Sequence, residues 1–116
     1  MQITNKMVYV AYDIGKLVHS CRIGRSEGSI EISKRTGMGS GSASDYITVL
    51  LAMLSGECYK RTINLFATKY FLENIGNDFG AETQKVAAKA TLAHVEYYKS
   101  IHGYLKSIEK VAKQYI

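Results

Sequence analysis

Basic and aromatic side chains carry the first chemical signal in this 116-residue chain. Lys60-Arg61, Lys69, Lys85, Lys89, Lys99 and Lys106 form a cationic set suited to a phosphate backbone. Tyr97 and Tyr98, flanked by Lys99, are of the type that stacks on bases or sugars, with ordinary packing as the bland alternative. The net charge is +5, and residues 59–116 hold nine Lys/Arg against five Asp/Glu. An anionic partner such as nucleic acid fits that balance. Gly37-Met38-Gly39-Ser40-Gly41-Ser42 reads as a flexible connector whose place before a helix offers backbone N–H groups to a phosphate. It lacks the Gly-Lys-Ser/Thr ending of a P-loop and the spacing of a dinucleotide fingerprint. The acids are dispersed: Asp13 after an apolar run, Asp45 at a helix start, Glu109 near the C-terminus. Cys21 and Cys58 make neither a disulfide framework nor a zinc spacing, so they read as reduced core thiols of a cytoplasmic, intracellular protein. No signal-peptide core is visible, and no apolar run approaches the ~18 residues of a membrane span, so no membrane partner is expected.

These residues need elements to position them. Met7-Val8-Tyr9-Val10-Ala11-Tyr12 is a continuous apolar run that predicts a buried central strand. Leu17 to Ile23 alternates and predicts a second strand, Gly24 to Gly28 a turn, and Ser29 to Lys34 a third strand. Tyr46, Ile47, Leu50, Leu51 and Leu54 recur at helical spacing, predicting a heavily buried helix over 45–54 with Ser42 or Ser44 as N-cap and Asp45 in its first turn. Thr62 to Thr68 predicts a fourth strand, followed by a short helix over Lys69 to Ile75 closed by Gly76. A helix over Ala81 to Leu92 follows, and His94 to Ser100 is either a fifth strand or its continuation. His102-Gly103 breaks the pattern before a last helix with Tyr104, Leu105, Ile108, Val111, Ala112 and Tyr115 on one stripe. The order is β-β-β-α-β-α-α-β-α, an α/β single domain over 1–116 with a mixed sheet and helices on both faces.

That order resembles the ribonuclease H-like fold across nearly the whole chain. Catalysts of that superfamily, resolvases among them, hold two Mg²⁺ ions with clustered carboxylates and cleave phosphodiesters. The resemblance implies metal ligation by Asp13, Asp45 and Glu109, with Asp13 in Tyr12-Asp13-Ile14-Gly15 as the best match. It implies a mobile, catalytic His102 before the last helix. Thr68 stands where the family's third carboxylate belongs, so the implied active site is weakened. In that family the segment before the first helix contacts nucleic acid, which here singles out Ser40, Ser42 and Ser44.

Two functions follow as expectations. One is a small nucleic-acid-binding protein, a Mg-dependent nuclease with a degenerate site in its active version. The other is a non-catalytic interaction module, such as a phage or mobile-element accessory protein that binds a host protein or forms a homodimer.

Overall fold

Thr4 starts the first helix. Its Oγ1 accepts from the Met7 backbone N–H at 3.2 Å, and its own N–H donates to the Met7 Sδ at 3.4 Å. Both donors at the helix entry are thereby occupied. The computed structural model describes residues 2–116, and α1 runs from Asn5 to His19. Met7, Val8, Ala11, Tyr12, Ile14, Gly15 and Val18 turn inward, at the steps of three and four that one helix face allows. Met7–Tyr12 is therefore helix, not a central strand. Six apolar residues in a row have no period of their own, so burial alone does not separate the two states.

The same correction runs through the first third of the chain. The predicted second strand is the end of α1 and a turn. Ser29–Lys34 lies within α2 (Arg25–Thr36), which buries Gly28, Ser29 and Ile32 and leaves Ile30 exposed. Ile30 and Ile32 alternate in sequence, but a helix sends them to different faces. Gly28 lets α2 sit close to its neighbours. A Cβ there would meet Val18 Cγ2 at 2.9 Å, Ile47 Cδ1 at 3.2 Å and Ile14 Cγ2 at 3.3 Å. Gly37 ends α2 in the left-handed region at φ +81°, and its N–H donates to the Ser33 carbonyl at 2.8 Å.

Only Gly37 to Gly39 separates α2 from α3 (Ser40–Ser55), and Met38 within that link is buried. The flexible segment expected up to Ser42 is thus shorter, Ser42 and Ser44 lie inside the helix, and Asp45 lies beyond its first turn. The expected helix over 45–54 falls within α3, with Tyr46, Ile47 and Leu50 of its stripe buried, Leu51 and Leu54 half-buried, and Val49 and Met53 buried beside them.

The chain divides into two compact units, one up to Leu51 and one from Ala52 to Ile116, with α3 contributing to each. In the second unit, α4 (Leu65–Phe79), α5 (Ala81–Ile101) and α6 (Lys106–Lys113) pack pairwise. Asn64 caps α4, its Oδ1 accepting from the Ala67 N–H at 2.8 Å. The predicted strand over Thr62 to Thr68 is therefore a cap and the first turn of a helix. That helix buries Ala67, Thr68, Phe71, Leu72 and Ile75. It continues past Gly76 to Phe79. Gly76 instead makes room for the Gln84 side chain, whose Nε2 donates to the Leu72 carbonyl at 3.1 Å. His94–Ser100 continues α5.

Six helices and no strand among the described residues overturn the α/β ribonuclease H-like fold. A β-strand satisfies its backbone only through a distant partner, whereas these segments close their hydrogen bonds locally and bury a stripe.

Candidate nucleic-acid interface

Among the described residues, the implied metal site has no counterpart. Asp13 is exposed on α1 and Asp45 half-buried on α3, both in the first unit. Glu109 on α6 and His102, the residue closing α5, belong to the second. Glu109 is already occupied: it accepts from the Tyr104 hydroxyl and pairs with Lys113 Nζ at 3.6 Å. The Tyr104 bond, with Lys113 beside it, holds the Glu109 carboxyl below its usual range. Thr68 is buried in α4 and donates to the Asn64 carbonyl at 3.0 Å, so it stands at no strand end. Among the described residues, no three His, Cys, Asp or Glu side chains group so that they could hold a metal ion. The ribonuclease H-like nuclease reading is overturned with the fold that suggested it, and the resemblance no longer carries an assignment of Mg²⁺ to Asp13, Asp45 and Glu109 or of a catalytic role to His102.

The cationic set fares differently. Lys60, Arg61, Lys69, Lys99 and Lys106 are all exposed, and all belong to the second unit. Two of them lie against tyrosine rings. Lys60 Nζ is 5.9 Å from the Tyr97 centroid, and Lys99 Nζ is 5.1 Å from the Tyr104 centroid. Tyr98 is half-buried and packs against His94 and His102, at ring separations of 5.7 Å and 4.8 Å. It is a packing residue, while Tyr104 is 51% exposed. Sequence reasoning placed Tyr104 on the apolar stripe of the last helix. Because α6 begins only at Lys106, Tyr104 instead stands in the preceding link.

An open groove of about 410 Å³ lies beside Tyr104, lined also by Leu65, Leu105, Lys106, Ser107 and Ile108. Its lining is aliphatic apart from one aromatic ring, and its polar side-chain groups are the Lys106 ammonium and the Tyr104 and Ser107 hydroxyls. No side chain caps the first turn of α6 at this edge.

The first unit has a groove of another kind. Ser40 and Ser44 of α3 line it with Arg25, Ser26, Ser29 and Ile30 of α2, around about 340 Å³. Ser42 is half-buried on the same helix. The Arg25 guanidinium donates to the Thr48 hydroxyl, which fixes one cation at the edge of α3.

Sequence reasoning missed one cluster altogether. His94 is buried in α5, stacked on Tyr59 with centroids 4.4 Å apart and planes at 18°. Its Nδ1 donates to the Tyr59 carbonyl at 2.5 Å, which leaves Nε2 of the neutral ring to accept from the Thr62 hydroxyl at 2.9 Å. The Tyr59 hydroxyl donates to Thr91 Oγ1 at 3.1 Å, and Thr91 donates to the Ala87 carbonyl at 3.0 Å. Burial lowers the His94 pKa, with the Tyr59 carbonyl acting the other way. Burial pushes the Tyr59 hydroxyl up to about 12. Every polar atom named here has a partner. It ties the segment between α3 and α4 to α5. The signal was in the spacing: His94 follows Ala87, Ala88 and Thr91 on the buried stripe of α5.

Cys21 and Cys58 are free and exposed rather than core residues. No family model, curated protein or solved structure matches this chain. Among the described residues, no helix is long and apolar enough to cross a membrane.

Proposed function

We propose that this protein is a non-catalytic helical module that binds nucleic acid through its second unit. The observation that carries the reading is the pairing of exposed cations with tyrosine rings, Lys60 on Tyr97 and Lys99 on Tyr104. Phosphates need cations that are accessible and mobile, and bases need flat apolar faces beside them. Arg61, Lys69 and Lys106 add exposed positive charge on the same unit. The hydroxyl groove of Ser40, Ser44 and Arg25 is a secondary candidate for a phosphate contact.

Fluorescence anisotropy with labelled oligonucleotides tests it. Affinity should fall as salt rises, with a log–log slope of about −0.9 per phosphate contact on duplex and about −0.7 on single strands. Lys60→Gln and Lys99→Gln should each flatten that slope by about one contact. Absence of binding at ~50 mM salt, or binding indifferent to salt, refutes the proposal.

A second reading is a protein-interaction module. It rests on the exposed apolar side chains Leu65, Phe66, Ile101 and Tyr104 in the same unit.

A further inference from the structure

We infer that the groove beside Tyr104 holds one unpaired base, so that the preferred ligand is a single strand rather than a duplex. The inference rests on the nucleic-acid reading and deepens it. In a duplex, bases are stacked and paired, and a pocket can reach only their edges. Among the parts of a nucleic acid, a groove lined by an aromatic ring and aliphatic side chains suits a base that has left the stack. Tyr104 contributes the aromatic ring, with the Lys99 ammonium over it, and Leu65, Leu105 and Ile108 contribute the aliphatic lining. The volume of about 410 Å³ leaves room for a planar ring system.

The charges around the groove are arranged for an anionic chain. Lys99 lies against the Tyr104 ring and Lys106 lines the groove, so two cations stand beside the base seat for the phosphates of a strand. The carboxylate bonded to Tyr104, Glu109, is countered by Lys113, which limits its repulsion of a phosphate. Glu96 also acts on Tyr104 electrostatically, so the local balance is cationic by a small margin. The uncapped first turn of α6 leaves backbone N–H groups beside Lys106 for the same anion. Ser107 supplies a hydroxyl to a base edge at the mouth.

The test is anisotropy on the whole chain with a ~20-nucleotide labelled single strand and the matching duplex. The single strand should bind about tenfold more tightly than the duplex at equal salt. Tyr104→Ala should weaken single-strand binding about tenfold with little change in salt slope, because a stacking face and not a charge is lost. Tyr104→Phe keeps the ring and should stay within about twofold of the wild type. Ser107→Trp narrows the groove while leaving Tyr104 in place, and it should weaken the single strand as well. Circular-dichroism melts confirm that each variant folds. Duplex binding as tight as single-strand binding, with the salt slope intact, overturns the base seat and leaves the nucleic-acid reading standing. Absence of binding to either oligonucleotide overturns both. An acidic, leucine-containing helical peptide that binds and loses affinity in Tyr104→Ala, while the oligonucleotides are unaffected by that change, assigns the groove to a protein partner and also overturns the inference.

Discussion

The two units solve the problem of a small core in different chemistry. In the first, α2 approaches α1 and α3 at Gly28, and apolar side chains such as Val8, Ala11, Ile14, Ile32 and Ile47 fill the space. Shape is the constraint there, since neighbours already stand 2.9–3.3 Å from where a Cβ would be. In the second, Phe71, Leu72, Ile75 and Val95 are buried together with a hydrogen-bonded polar chain of His94, Tyr59 and Thr91, which the exposed Thr62 joins from the surface. Polar atoms in a core are tolerated only when each has a partner, so this unit depends on protonation state as well as on shape.

The largest expected effect lies in the polar core. His94→Ala removes the donor to the Tyr59 carbonyl and the ring stacked on Tyr59, leaving a cavity and an unpaired buried acceptor. Chemical denaturation should report a loss of about 3–5 kcal/mol. A loss under about 1 kcal/mol would mean that water replaces the ring and that the network is not a keystone of the unit.

Overpacking is the matching break in the first unit. Gly28→Val should cost about 1–3 kcal/mol, because the branched side chain must displace Val18, Ile47 and Ile14 at once. An increase in stability would show that the three neighbours can retreat and that the close approach is incidental.

Tyr59→Phe sharpens the comparison at smaller amplitude. It removes only the donor to Thr91, and Thr91 still donates to the Ala87 carbonyl. The expected cost is about 1 kcal/mol at neutral pH. At alkaline pH the sign changes. The folded state holds the Tyr59 hydroxyl neutral, so its contribution is present below pH 10.0 and is lost as pH rises toward about 12. The variant should be free of that loss, which denaturation midpoints between neutral and strongly alkaline pH would reveal.

The smallest effect is acidic. His94 has a lowered pKa in the fold, so the folded state favours the neutral ring. Its contribution is present above the unfolded value of 6.5 and declines as pH falls through that value toward the folded pKa. Glu109 contributes in a separate window, since its depressed pKa affects stability only as pH falls below its ordinary 4.5. Denaturation midpoints should therefore drop between pH 7.5 and pH 5 in the wild type, and less in His94→Gln, whose amide takes up no proton. Equal drops in both proteins would place the acid sensitivity elsewhere.

The helix over 45–54 was legible because its apolar positions recur over enough turns to define a face. Ala81 to Leu92 was legible through its alanines, which favour helix wherever the chain places them. Met7–Tyr12 and Thr62–Thr68 were not, although Thr4 and Asn64 stood ready as caps. Six or seven residues hold too little periodicity to outweigh β-branched and aromatic composition, and the cap is a single residue whose bond forms only once the helix does. The implied metal site failed for the same reason, since it was built on a sheet that these segments do not form. Charge and exposure along Lys60, Arg61, Lys69, Lys99 and Lys106 were carried by the sequence itself, because long cationic side chains stay in water in almost any fold. What only the tertiary structure decided was which aromatic rings those cations meet. Tyr98 turns against His94 and His102, and Tyr104 stays at the surface beside a groove made by Leu65, Leu105 and Ile108. That choice depends on where α5 ends and α6 begins, and on the burial of His94 against Tyr59, both set by contacts between residues far apart in the chain.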